Sequence, residues 1–456
     1  MRHQPPDRRA ERYRIGSGTL VSLLAGRATY RLVMLTTTVA LLPVWGERRY
    51  GTYAAALAAF SWLMALVSTG PEKTVLKLLP RSPRTGPAVT AALVAVVWWL
   101  PLPVAAACLV AWAAGAAAPA VYLGVAAMQL SIGCTLLLVG LHRATGRPRA
   151  DPASFLAMSV AQVGLLGAAA AGLLLPVGYA GAVVAVQTCV NLVLTARLGR
   201  PSLRIRHRPR FLWRLAVTAV LLSGTELFLY LTFAVLFTLL QVTGHGDQVG
   251  RLYVAALVVS VGVNLLLYLL RVYAPRTSLR LAGRAGVAGR TRAARLAGRV
   301  AALNLGWLVA VGVVVGVTGV AEVGSAAGQM VVWGVLLASA APGFALLLWA
   351  SYLLENTDAT APRVVAAAAV TGLLTAVAAG LATMPALGGV GLVVAMVAGH
   401  AGYAVMVAVR GRRTGVPWRG QVVTESPSAP GGTISSSTGR REPGSENVTT
   451  PSRPRA

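Results

Sequence analysis

The sequence predicts an all-α integral membrane protein with 12 transmembrane helices. Three observations carry this reading. The 456 residues are 56% hydrophobic and only 12% charged, about half the charged share of a soluble domain. Apolar residues arrive in blocks about 20–30 long, enough to cross a bilayer core at 1.5 Å per residue. Lys and Arg gather in alternate loops, as expected where charge fixes the orientation of a multi-pass chain. No ten-residue alternating pattern recurs, so helices rather than barrel strands span the membrane.

In chain order, residues 1–15 hold five Arg and are expected to form a cytoplasmic N-terminal segment. Helix 1 covers 16–45, and a turn at Gly46 leads into helix 2 over 51–70. Lys73, Lys77, Arg81 and Arg84 mark the next cytoplasmic loop. Helix 3 is expected over 88–112, bent at Pro101 and Pro103, and helix 4 over 120–141. Helices 5 (153–175) and 6 (180–197) flank an uncharged turn and complete an N-terminal lobe at 16–198. A basic cytoplasmic linker, 199–210, leads to helix 7 over 211–241 and helix 8 over 250–271. The basic stretch 272–298 reads as a short interfacial helix. Helices 9–12 follow at 299–320, 328–354, 363–383 and 388–410, with a kink at Pro342-Gly343, and the C-terminal lobe is 211–410. Residues 411–456 are rich in Ser, Thr, Gly, Pro and Arg and read as a disordered cytoplasmic tail. Both termini then face the cytoplasm, with the protein in the cell membrane.

The formal charge of +28 does not point to nucleic acid, because the Arg residues sit in the loops that set topology. Cys108, Cys134 and Cys189 lie inside apolar blocks without CxxC spacing and read as packing residues, not metal ligands. There is no P-loop, no paired acid in a plausible catalytic loop, and too sparse a His/Cys/acid set for a metal. The expectation is a protein that is not an enzyme and takes no cofactor.

Arg27 and Arg31 are the anomaly in helix 1. A central Arg costs about 2.5–3.5 kcal/mol to insert, so two need a reason. Four residues apart, they share one helical face, and that face must meet protein or a watery cavity rather than lipid. Two guanidinium forks in a cavity suit an anion. The competing readings are structural pairing with helix 7 and snorkelling to the interface. Glu226, in helix 7, either pairs with Arg27 across the lobes or titrates as a coupling group. His400 and Asn264 are weaker cavity candidates, as are Gln129, Gln162, Asn191 and Asn304, since such residues also bind helices together. Glu72-Lys73 and Glu355/Asp358 sit at helix ends, where a solvated face is the default reading.

The lobes are suggested by an internal echo. YAAALAAF from Tyr53 and YVAALVVS from Tyr253 each follow a short Gly-containing turn after the first helix of a six-helix group. Parallel six-helix halves are a transporter architecture.

The segment GERRYGTYAAALAAFSWLMALVSTGPEKTVLKLLPR resembles the helix 1–2 region of polysaccharide transporters, the O-antigen and lipid-linked oligosaccharide flippases. These belong to the multidrug/oligosaccharidyl-lipid/polysaccharide exporter superfamily, so the resemblance implies two six-helix lobes around a central cavity. The similarity rests on Gly46, the Tyr50-Gly51-x-Tyr53 turn, Ser68-Thr69-Gly70 and the basic stretch through Lys73, Lys77 and Arg81, within residues 16–85. It implies alternating access of two lobes that carry a polyprenyl-diphosphate-linked oligosaccharide from the inner to the outer leaflet, with cationic cavity residues meeting the diphosphate. It further implies glycosyltransferases and a polysaccharide polymerase as partners, besides membrane lipids. The alternatives are a cation-coupled multidrug antiporter of the same superfamily, which wants an acidic, aromatic cavity, and a membrane polysaccharide polymerase or ligase, which wants a large external loop.

Overall fold

The computed structural model describes residues 17–81, 86–147, 149–198, 209–281, 284–318, 326–357 and 360–412. The expected N-terminal segment, most of the linker, Asp358 and nearly all of the tail lie outside these residues. The described residues are almost wholly helical: α1 (Ser17–Arg81), α2 (Gly86–Trp99), α3 (Pro101–Ala113), α4 (Ala117–Ala144), α5 (Ala150–Ala170), α6 (Pro176–Leu198), α7 (Pro209–Val242), α8 (Val249–Arg280), α9 (Arg284–Thr318), α10 (Ala326–Glu355) and α11 (Ala361–Arg410). A single 3₁₀ turn, Gly246–Gln248, precedes α8.

Ten stretches are long and apolar enough to cross a membrane, and two of them, of 60 and 50 residues, are long enough to cross twice. A straight 60-residue helix would be about 90 Å long, three times the hydrocarbon core. In α1 the break is Gly46, at φ 73 and ψ 163, a conformation essentially reserved for glycine. Across it the Trp45 and Tyr53 rings pack edge-on, 5.2 Å apart. In α11 the break is Gly388, at φ 50 and ψ −124. The two halves of α11 then lie side by side: the Thr383 hydroxyl donates to the Gly391 carbonyl at 3.1 Å, and Gly399 faces Gly372 and Ala376. The α2–α3 pair forms one span interrupted before Pro101, where the ring removes a backbone donor. Twelve crossings result among the described residues.

The helices form two bundles, α1–α6 and α7–α11, each with its own apolar interior. The first is centred on α4, whose spanning window is 94% buried, and whose Leu137, Leu138 and Leu141 are wholly enclosed. In the second, Phe237, Leu240, Met384 and Val393 form one group and Val300, Leu354, Tyr403 and Val407 another. The bundles meet most closely where α1 crosses α7. There Gly70 lies against the Ala219 carbonyl and Ser223, leaving no room for a side chain.

Three boundaries differ from the sequence reading. Helix 2 continues past residue 70 to Arg81, helix 8 continues past 271 to Arg280, and helix 9 begins at Arg284 instead of 299. Among the described residues of 272–298 no separate interfacial helix forms: 272–280 end α8 and 284–298 begin α9. The extra turns in α1 and α8 carry charges that find partners inside the protein: Glu72 pairs with Arg271, and Lys73 with Glu355. Helix α10 runs unbroken through Pro342, and the glycine after it admits the side chain of Asn304.

Candidate functional site

A cavity of about 170 Å³ lies between the bundles. Its walls follow from the internal repeat. Lining residues recur at an interval of 200: Tyr30 and Tyr230, Tyr53 and Tyr253, Leu57 and Leu257, Ser61 and Val261, Met64 and Asn264. The first member of each pair comes from α1, the second from α7 or α8. The short echo at Tyr53 and Tyr253 is thus the visible part of a register that places matching positions on opposite walls.

Arg27 and Arg31 both line this cavity, and among the described lining residues they are the only formally charged side chains. Arg27 is 4% exposed. Its guanidinium lies over the rings of Phe155 (4.8 Å) and Tyr268 (4.5 Å), as a weakly hydrated planar cation prefers. Arg31 is half-buried, and its Nε is enclosed without a hydrogen-bond partner. Neither forms an ion pair among the described residues. No carboxylate stands among the described lining residues, although Asp151 and Glu72 act on Arg27 electrostatically from outside the lining; the positive charge facing this low-dielectric space favours an anion. Gln129 and Asn264 also line the cavity. Gln162 instead accepts from the Tyr179 hydroxyl at 2.6 Å and Asn191 from Thr135 at 2.8 Å, so both serve helix contacts. His400 does not line the central cavity but a smaller pocket inside the second bundle.

Glu226 does not pair with Arg27. It lies on the face of α7 turned to α1 and α8, where it accepts from the Thr69 hydroxyl at 2.8 Å and pairs with Arg271 and with Lys73, the latter at 3.4 Å. Similar depth in the membrane suggested the wrong partner because depth says nothing about which face a side chain occupies. Glu72-Lys73 and Glu355 are likewise not solvated helix ends: Glu72 is 0% and Glu355 4% exposed.

These residues form one buried ion network. Lys73 of α1 reaches Glu355 of α10 at 2.8 Å. Arg271 of α8 reaches Glu72 of α1 at 2.9 Å and the Thr69 hydroxyl at 3.0 Å. Arg143 of α4 pairs with Glu72 and lies 3.1 Å from Asp151 of α5. The Tyr268 hydroxyl donates to Asp151 at 2.9 Å and the Thr225 hydroxyl to Glu355 at 3.0 Å. Four carboxylates meet three cations, and every link from Thr69, Glu72 or Lys73 to α7, α8 or α10 joins one bundle to the other. Buried charges persist only when paired and hydrogen-bonded, so the network ties the bundles together at this end. Tyr268 connects it to the cavity, since its ring carries Arg27 while its hydroxyl holds Asp151.

No family model matches the chain, and no curated protein matches it. Solved structures do. A MOP superfamily transporter from Pyrococcus furiosus Vc1 (DSM3638), for which reverse polarity of the binding pocket was taken to suggest a different function, superposes with a TM-score of 0.62 at 14% identity, covering 90% of this chain and 98% of that one. An outward-facing multidrug resistance MATE family transporter of the MOP superfamily gives 0.61 at 14% identity over the same shares. A MATE in the straight conformation gives 0.59 at 14% identity, again over 90% and 98%. The chain therefore has the fold of MATE-type MOP superfamily transporters: two six-helix lobes around a central cavity.

Proposed function

We propose that this protein is an alternating-access flippase for an anionic lipid, a polyprenyl-diphosphate-linked oligosaccharide carried from the inner to the outer leaflet during envelope polysaccharide synthesis. One observation carries the reading: the cavity shared by the two lobes is lined by Arg27 and Arg31 and by no carboxylate. A diphosphate matches two guanidinium forks in charge and geometry, and the sequence resemblance around helices 1 and 2 points the same way. The ion network holds one end closed while the cavity is loaded or emptied at the other, as alternating access requires. Glu226 acts in that closure rather than as a substrate ligand. The protein works in the cell membrane with both termini cytoplasmic, beside the glycosyltransferases that build the substrate and the polymerase that uses it.

The multidrug reading draws on the fold neighbours and on the aromatic walls given by Tyr30, Tyr53, Tyr230, Phe233 and Tyr253. It lacks an acidic group in the cavity to hold a cationic drug. The deciding experiment reconstitutes the protein in liposomes with a fluorescent polyprenyl-diphosphate disaccharide and, separately, a lipophilic cationic dye. The flippase reading expects the labelled lipid to cross. Each charge-assisted bond is worth roughly 1.5–3 kcal/mol, so Arg27→Ala with Arg31→Ala should cut the rate on the order of 100-fold. Unchanged lipid movement in a folded double variant, or transport of the dye alone, would overturn it.

A further inference from the structure

The second bundle contains a pocket of about 100 Å³ built from α7, α8, α10 and α11. Tyr230, Phe233, Ala256, Ser260 and Asn264 line both this pocket and the central cavity, so the two spaces adjoin along one wall. Beyond that wall the lining is apolar, including Val259, Leu337, Ala341 and Met396. The polar groups are largely spent on their own helices: the Ser260 hydroxyl donates to the Leu257 carbonyl at 2.7 Å, and Asn264 donates to the Ser260 carbonyl at 2.8 Å. His400 closes the far side, stacked on Phe344 at 4.6 Å and edge-on to Phe228 at 5.8 Å. Its Nε2 has no partner, and the ring is 3% exposed.

We propose that this pocket binds the apolar chain next to the substrate's anionic group, its proximal isoprenyl units, so that the two lobes divide an amphiphile between them. The proposal rests on the anionic-lipid reading above and adds where the chain goes. A diphosphate drawn to Arg27 and Arg31 pulls the first isoprenes into the cavity with it. The α1 wall, with two guanidiniums and Gln129 beside it, is a poor surface for hydrocarbon, whereas the pocket across the cavity presents hydrocarbon and aromatic faces. A sugar ring fits the pocket badly, because it brings several hydroxyls and would find few free partners for them. A metal cation fits worse, with no carboxylate in the lining. The unpartnered imidazole and its flanking rings form an aromatic end wall, which an isoprene double bond can face without losing a hydrogen bond.

The test uses the purified full-length protein in nanodiscs, with farnesyl diphosphate and inorganic diphosphate as probes. Wild-type protein should bind farnesyl diphosphate at least tenfold more tightly than diphosphate. Ala341→Phe, from α10, and Val259→Phe, from α8, each fill the pocket without touching the central cavity, and each should abolish that tenfold preference while leaving diphosphate affinity within about twofold. Retained diphosphate binding shows that a variant is folded. If a folded variant keeps the preference, the pocket assignment is wrong while the anion reading stands. Failure of the wild type to bind either probe overturns the anion reading itself. Photolabelling of wild-type protein with a diazirine in the first isoprene needs no variant: label at Phe344, Met396 or His400 supports the assignment, and label confined to α1–α6 overturns it.

Discussion

Arg271 is the point at which the tie between the lobes is most exposed to a single change. Its guanidinium serves Glu72 in one lobe, Glu226 in its own, and the Thr69 hydroxyl between them. Arg271→Met keeps much of the apolar stem and removes the fork. Glu72 would retain Arg143, and Glu226 would retain Lys73 and Thr69, so the loss belongs at the lower end of the range for breaking a buried pair, about 3 kcal/mol. The contacts to Glu72 and Thr69 exist only while the lobes are joined here, so their share of the penalty falls on the joined form, with about 3 kcal/mol as its upper bound. A shift of that full size is roughly 150-fold in the equilibrium, enough to bring a 99:1 preference to roughly even populations. Spin labels at Arg149 and Arg412, in a cysteine-free background, would report the separation at this end. The first residue lies two positions before Asp151 of the network, and the second follows Gly411, whose carbonyl accepts from Arg290, which also donates to the Thr360 hydroxyl. Wild-type protein should give one short distance, and Arg271→Met a clearly populated second, longer one. Arg271→Lys should lie between, since an ammonium keeps the charge without the fork. Identical distance distributions in wild type and Arg271→Met would refute the idea that this network holds the lobes.

Two further predictions concern the hairpins. Gly46→Ala forces a side chain into φ 73, ψ 163 although a Cβ there meets nothing within 4 Å; the cost is backbone strain of about 1–3 kcal/mol, readable as a lowered Tm. Gly51→Ala, also with open space around it, is the control and should change little. Gly399→Ala would put a methyl 2.8 Å from the Ala376 Cβ and 3.0 Å from the Gly372 carbonyl, an overpacking cost of about 1–3 kcal/mol. Adding Ala376→Gly should restore part of the lost thermal stability, and an absence of any recovery would count against the side-by-side packing of the two halves.

The helices were legible because a bilayer imposes its own ruler: each span needs about 20 apolar residues, and Gly46 and Pro101 interrupt such runs where only special backbone geometry serves. The cavity arginines were legible for the converse reason, since a charge in an apolar run calls for a cavity or a partner. The network was not. Glu72, Asp151 and Glu355 each stand near the end of a predicted helix, where solvent is the ordinary neighbour, and their partners lie up to 282 residues away in sequence. One signal was available. The chain has only 13 acidic residues, and the alternation of loops puts Glu72, Asp151 and Glu355 at the same membrane face, together with Lys73 and Arg143. Acids so scarce, gathered at one face of a basic protein, suggest mutual use. His400 shows the opposite limit: its place in helix 12 was clear, but not that its ring faces a pocket within one lobe instead of the space between lobes.

The 200-residue register has a consequence for how the halves share their work. Opposite Arg27 and Arg31 the same count arrives at Leu227 and Leu231, so the duplicated frame is symmetric while its cavity charge is not. If the proposed flippase reading holds, an anion held by those guanidiniums rides with the first half whenever the halves rock. Transplanting both guanidiniums to the leucine positions would yield a mirror-image carrier, and its competence would reveal whether transport belongs to the frame or to one side of it.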